Sequence, residues 1–198
     1  MSTTTAAKRW ESKSTRLLRQ FARETGGSFR AASFKGFKYT PQAALLDLER
    51  GQGELNVQVV NSSNQNSGSQ ECIVITYEFR PRRKLKFYLI PKKKLVLHFF
   101  DHDYRETTMP NNVLGKLFKA GSSHPSIMRA VLKHEPLADD LIMHPVADIR
   151  LKIKEHGAQL TYKELVKKPD TEMLQARVDV VKHVIEALFE QSVVYEGK

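Results

Sequence analysis

Three runs of alternating apolar and polar residues follow one another between positions 73 and 99, and they constrain the fold more than any other feature. The apolar members of the runs are Ile73, Ile75, Tyr77 and Phe79, then Leu85, Phe87 and Leu89, then Leu95, Leu97 and Phe99. A repeat of two residues places these side chains on one face of each of three β-strands. The links RPRR and IPKK are short and contain prolines, which end strand pairing. The pattern therefore predicts three antiparallel strands in immediate succession.

Two further regions show the same alternation. Leu55, Val57 and Val59 alternate with polar residues and predict a strand before the three runs. Residues 61–70, with the sequence NSSNQNSGSQ, contain no apolar residue and predict a mobile polar loop. Apolar and polar residues alternate again over 148–165, around a glycine, and predict a hairpin. Together these patterns predict an antiparallel meander sheet of about four to six strands.

Helical patterns lie at both ends of the chain. Residues 6–25 have one apolar side and precede two glycines, which favour a helix end. A second helix is predicted over 125–134 and a short turn over 137–143. Asp170 is the predicted cap of the last helix, whose apolar residues recur at helical spacing. These residues are Leu174, Val178, Val181, Ile185 and Leu188. Helices that flank runs of strands predict an α+β fold, with the terminal helices packed on one face of the sheet.

The length of 198 residues fits a single domain. We predict a basic N-terminal helix or arm over residues 1–25 and one α+β domain over residues 26–198. No apolar run approaches the roughly 18 residues that span a bilayer, and the N-terminus lacks the apolar stretch of a secretory signal. Cys72 is the only cysteine, so no intrachain disulfide is possible. These features predict a cytoplasmic protein.

Positive charge is concentrated between positions 80 and 94. This stretch, RPRRKLKFYLIPKKK, carries eight positive charges and no negative ones, in a chain whose formal net charge is +10. We predict that residues 80–94 form a hairpin with a basic cluster at each end of one strand. If Leu85, Phe87 and Leu89 face the core, the residues between them face outward. A concentration of like charge favours an anionic partner. The predicted binding residues are Arg82, Arg83, Lys84, Lys86, Tyr88, Lys92, Lys93 and Lys94.

The chemistry of the anionic partner is left open by the sequence. Lysine and arginine would neutralise the phosphates of a nucleic acid, and an exposed tyrosine would stack on a base. The same cations, with those of the N-terminal helix, would bind the headgroups of an anionic membrane. Lysines at strand ends also block pairing between sheet edges without binding anything. The aromatic residues between positions 29 and 39 favour a third function, as a homo-oligomerising or protein-binding domain.

Motifs for catalysis are absent from the sequence. There is no phosphate-binding loop, no G-x-S-x-G and no C-x-x-C, and Cys72 lies in an apolar strand as a structural thiol. We therefore predict a non-enzymatic binding or scaffold module without a cofactor. One alternative is a metal-dependent hydrolase, because imidazole and carboxylate groups that can bind a divalent metal cluster in HFFDHD. Its candidate ligands are His98, Asp101, His102 and Asp103.

Overall fold

The computed structural model describes residues 11–48, 53–62, 70–93 and 103–195 of the chain. The helices in these ranges are α1 (Lys13–Glu24), α2 (Asn112–Leu117), α3 (Pro125–Val131), α4 (Glu135–Met143) and α5 (Thr171–Glu190). The strands are β1 (Ser28–Arg30), β2 (Ser33–Lys35), β3 (Lys38–Thr40), β4 (Ala43–Asp47), β5 (Glu54–Ser62), β6 (Gln70–Phe79), β7 (Phe87–Pro91), β8 (Arg105–Glu106), β9 (Phe118–Ser122), β10 (Asp148–Lys154) and β11 (Gly157–Val166).

Nine of these strands form one antiparallel sheet. Their order across the sheet is β1-β4-β5-β6-β11-β10-β7-β9-β8, and β2 and β3 form a separate hairpin. The predicted α+β class and the predicted hairpin over 148–165 are confirmed. The described sheet has more strands than the four to six that the sequence predicts.

The predicted meander is wrong in its strand pairing. β6 and β7 are not neighbours, because the β10–β11 hairpin lies between them. The chain leaves the sheet after Phe79 instead of turning back: Pro81 forms a β-bridge with Val194, and the Arg82 N–H donates to the Val193 carbonyl at 2.7 Å. Because the RPRR link pairs with the C-terminal segment, it does not form the predicted tight turn. The predicted strand over 95–99 lies outside the described residues, as do residues 63–69 of the predicted loop.

The terminal helices pack together on one side of the sheet, as predicted. Helix α1 contacts β4, β5 and α5, and α5 contacts β6. Leu18 and Phe21 of α1 are buried in the same core as the apolar residues of α5. The buried α5 residues include Leu174, Val178, Val181, Ile185 and Leu188. The sequence therefore predicted the inward faces of both helices correctly.

The predicted helix over 125–134 and the turn after it need correction. Helix α3 ends at Val131, and α4 covers Glu135–Met143, where a turn was predicted. Pro136 lies in the first turn of α4. Proline has no N–H to donate inside a helix but is well accommodated in a first turn. Pro136 therefore suits the start of a second helix and would not suit the interior of one helix that ran on from α3.

The sheet has one covered face and one open face. On β6, Ile73, Ile75 and Tyr77 point into the core, while the residues between them are partly exposed. The same alternation along β5, β10 and β11 leaves mostly polar side chains on the side away from the helices, together with a small apolar group of Val60, Val74 and Leu165. We call this side the open face. Its residues include Asn56, Gln58, Thr76, Glu78, Tyr88, Asp148, Arg150, Lys152, Gln159, Thr161 and Lys163.

The cap of α5 provides a first test of the helix assignments. The Asp170 carboxylate accepts a hydrogen bond from the Met173 N–H at 2.7 Å. We expect Asp170→Ala to lower the free energy of unfolding by about 1 kcal/mol, because the amide loses its acceptor. Asp170→Asn keeps an acceptor oxygen and is the matched control. Urea unfolding followed by circular dichroism measures both, and equal stability of the alanine variant and the wild type would contradict the capping role.

Candidate nucleic-acid interface

The predicted basic segment lies around β7, but it is not a hairpin. Leu85, Phe87 and Leu89 are buried, as predicted, whereas Lys86 and Tyr88 are partly exposed. The remaining predicted binding residues that the structure describes are exposed at the two ends of the strand. Arg82, Arg83 and Lys84 precede it, and Lys92 and Lys93 follow it. Lys94 lies outside the described residues.

Tyr88 lies on the open face directly opposite Arg150 on one side and Gly121 on the other. A Cβ atom at position 121 would lie 2.5 Å from the Tyr88 ring, so the ring occupies space that only a glycine leaves free. The ring also packs against Tyr104, with 5.4 Å between ring centroids. Burial, and after it the charge of Glu106, raises the pKa of Tyr88. The open face thus carries a neutral aromatic ring in a position fixed by its neighbours.

Arg150 is held in place beside Tyr88 by Asp148. The Arg150 guanidinium donates from Nε and Nη2 to the two carboxylate oxygens of Asp148, at 2.8 and 3.0 Å. The Asp148 side chain is only 4% exposed, and that of Arg150 is 37% exposed. The hydrogen bond with Asp148 raises the pKa of Arg150. The carboxylate therefore orients a planar cation that still reaches the solvent.

Lys152 and Lys163 lie next to this pair and are exposed. Together with Arg150 and Thr161 they line a shallow cleft of about 370 Å³. Among the described residues, neither lysine has a carboxylate within ion-pair distance, whereas Lys154 pairs with Glu78 at 3.1 Å. Lys152 and Lys163 therefore supply positive charge to the open face that no described side chain neutralises.

A second cleft, of about 610 Å³, continues across the sheet from the first. Lys38 and Tyr39 of the β2–β3 hairpin line one side of it, and Asn56 and Thr76 of the sheet line its floor. Gln159 lines both clefts. We call the two together the trough. It runs along the open face from the β2–β3 hairpin towards β10.

The structure describes only one of the four predicted metal ligands. His98, Asp101 and His102 lie outside the described residues. The remaining ligand, Asp103, is exposed and accepts a hydrogen bond from the Lys86 ammonium at 2.5 Å. In the part of the chain that the structure describes, no group of three or more His, Cys, Asp or Glu side chains could hold a metal ion. The metal site stays a prediction.

Several residues of the open face were not among the predicted site residues. Arg150 and Lys152 stood out only as the polar positions of a predicted strand, and Lys163 lies on the return strand of that hairpin. The sequence signal was the regular alternation of basic and apolar residues over 149–154. What the signal did not contain is the pairing of β10 with β7, which brings Arg150 beside Tyr88.

A separate polar cluster lies on the covered side of the sheet. The Glu164 carboxylate is buried, and Arg177 of α5 donates to its two oxygens from Nε and Nη2, at 2.9 and 2.8 Å. The Tyr162 hydroxyl also donates to this carboxylate. Burial, followed by the charge of Glu164, raises the pKa of Tyr162 well above its ordinary value. The ion pair connects α5 to β11, and the positive charge of Arg177 balances the negative charge of Glu164.

No helix among the described residues is long and apolar enough to cross a membrane. The chain matches no protein-family model, no curated protein and no solved structure.

Proposed function

We propose that the protein is a non-enzymatic binding module that docks a nucleic acid on the open face of its sheet. One observation carries the proposal: Tyr88 and Arg150 lie opposite each other on neighbouring strands, on the exposed side of the sheet. An aromatic ring and an oriented guanidinium both offer planar surfaces on which bases stack. Lys152 and Lys163 lie beside them for contact with phosphates.

The rest of the open face supports a nucleic acid over a membrane. Its central positions carry amide and hydroxyl groups, which hydrogen-bond with base edges. These side chains are Asn56, Gln58, Thr76, Gln159 and Thr161. A surface that lies on a bilayer instead presents large apolar side chains at the headgroup level. The central positions of this face therefore favour a nucleic acid, whereas the exposed aromatic residues of the β2–β3 hairpin suit a nucleic acid and a membrane equally.

The proposed surface is wider than the basic segment from which the prediction began. Arg82, Arg83 and Lys84 at one end of β7, and Lys92 and Lys93 at the other, flank the open face. Exposed charges of one sign at both ends of a strand raise the local potential and speed the approach of a polyanion. We propose that these residues attract the nucleic acid from a distance. The residues at the centre of the open face then contact it directly.

Removal of the Tyr88 ring tests the proposal. We expect Tyr88→Ala to weaken binding of a fluorescein-labelled oligouridine by about tenfold, because one stacked base contributes about 1–3 kcal/mol. Tyr88→Phe keeps the ring and should bind within about twofold of the wild type. Fluorescence anisotropy at constant salt measures all three. Failure of the wild type to bind RNA or DNA, or binding that salt does not weaken, would refute the proposed function.

A substitution at Gly121 moves the same ring without removing it. A methyl group at this position would lie 2.5 Å from the Tyr88 ring, so we expect Gly121→Ala to displace the ring and weaken binding severalfold. The matched control is Gly115→Ala in α2, where a new Cβ would lie at an ordinary 3.6 Å from Met109. If the two alanine variants bind the oligonucleotide equally well, the position of the Tyr88 ring is irrelevant to binding.

A further inference from the structure

The β2–β3 hairpin exposes three aromatic side chains outside the main sheet. Phe37 is fully exposed, Phe34 is 75% exposed and Tyr39 is 53% exposed. The two-residue turn consists of Gly36 and Phe37, and Gly36 has a φ of 59°, which glycine adopts without strain at the first turn position. The turn thus holds Phe37 at the tip of the hairpin, away from the core. Contiguous exposed apolar side chains mark contact sites.

Cations surround these aromatic rings. Lys35 and Lys38 flank the turn, and the rings of Phe34 and Tyr39 pack on each other with 4.8 Å between centroids. Arg30 lies at the base of the hairpin, where it lines the trough with Lys38. Rings that stack on bases, beside cations that contact phosphates, are the typical combination of proteins that bind single strands.

The hairpin lies at one end of the trough and Tyr88 lies near the other. Tyr39 lines the trough with Asn56 of β5, and Arg150 of β10, opposite Tyr88, lines its far part. Four strand spacings separate β5 from β7, which amounts to about 19 Å. Amide and hydroxyl side chains form the floor between them. The two aromatic sites are therefore joined by one continuous polar surface.

Three carboxylates line the trough, and two of them are paired with a cation. Glu78 pairs with Lys154 at 3.1 Å and accepts a hydrogen bond from Gln159 at 2.9 Å. Asp148 is paired with Arg150, as described above. Glu54 lies at the rim on the side of the hairpin. Lys152 and Lys163 keep the far part of the trough positive.

We propose that the ligand is a single-stranded nucleic acid, whose bases stack on Phe37 and Tyr39 at one end of the trough and on Tyr88 at the other. This inference rests on the proposed function and narrows it. In a duplex the base faces are stacked on one another, so exposed aromatic rings have no base face to contact. The unpaired bases of a single strand offer these faces to each ring in turn.

The experiment compares a labelled single strand with the duplex of the same sequence, for the wild type and the variant Phe37→Ser with Tyr39→Ser. Both side chains are exposed, so the fold should not change. The matched control replaces exposed Val113 and Met143 on the helical side with serine. We expect the wild type to prefer the single strand by about tenfold, and the hairpin variant alone to lose about fivefold or more of that affinity.

The outcomes separate the inference from the proposed function. Equal affinity for single strand and duplex, or an unchanged hairpin variant, overturns the inference and leaves the binding module in place. Failure to bind either nucleic acid overturns both. Loss of binding to phosphatidylcholine vesicles that contain phosphatidylserine, with RNA binding unchanged, would assign the hairpin to a bilayer. Dissociation of a dimer by the same variant, seen by light scattering, would assign it to a second copy. Either result overturns the inference.

Discussion

Replacing Arg177 with methionine is expected to lower the free energy of unfolding by about 3–5 kcal/mol. Glu164 is 5% exposed, and both of its carboxylate oxygens accept hydrogen bonds from the Arg177 guanidinium. Methionine fills similar space but carries no charge and no donor. The carboxylate would then be buried with only the Tyr162 hydroxyl as a described donor. An uncompensated buried charge is among the most destabilising changes a core can undergo.

Urea unfolding followed by far-ultraviolet circular dichroism measures this effect. The matched control is the double variant Glu164→Gln with Arg177→Met, which removes the buried charge together with its partner. Glutamine retains an oxygen that accepts from Tyr162, so the double variant should be more stable than Arg177→Met alone. A single variant within about 1 kcal/mol of the wild type would show that the pair does not hold α5 on the sheet.

Reversing the charge of Lys152 and Lys163 is expected to produce the largest loss of nucleic-acid binding, about tenfold to a hundredfold near 0.1 M salt. Both lysines are exposed on the open face without a described carboxylate partner. Each lysine that contacts a phosphate adds about 0.7 to the slope of log affinity against log salt for a single strand. The variant Lys152→Glu with Lys163→Glu should therefore bind more weakly and with a slope shallower by about 1.4.

The control variant has the same net charge, but its two lysine-to-glutamate substitutions lie on another part of the protein. Lys116 of α2 and Lys133, between α3 and α4, are exposed on the helical side. Their replacement by glutamate should change the affinity far less, because neither lysine lies on the open face and exposed charges are screened by salt. Anisotropy titrations between about 50 and 200 mM salt compare the two variants. Equal losses would mean that net charge, and not the open face, determines binding.

Local sequence patterns predicted the faces of the elements but not their partners. The alternation over 73–79 and 85–89 correctly placed Ile75 and Phe87 in the core, and the spacing in the last helix identified its buried side. The order of strands depends on contacts between distant parts of the chain. The β10–β11 hairpin enters between β6 and β7 because its two strands match them in register, which a period of two cannot reveal.

The same limit explains which parts of the candidate site could be predicted. The outward direction of Lys86 and Tyr88 follows from their neighbours along β7. The space above Gly121 and the orientation of Arg150 depend on side chains of other strands, so they emerge only from the register of the sheet. The exposure of Phe34, Phe37 and Tyr39 is likewise a tertiary property, because Phe34 and Phe37 would suit a core equally well by composition.

Chemical modification of lysines with and without the ligand shows directly whether the nucleic acid covers the open face. Acetylation at saturating oligouridine, quantified by mass spectrometry, reports which lysines the nucleic acid covers. If the nucleic acid lies on the open face, Lys152 and Lys163 lose reactivity, while Lys116 and Lys133 keep theirs. Protection of Lys116 and Lys133 instead, or no protection of any of the four, would contradict it.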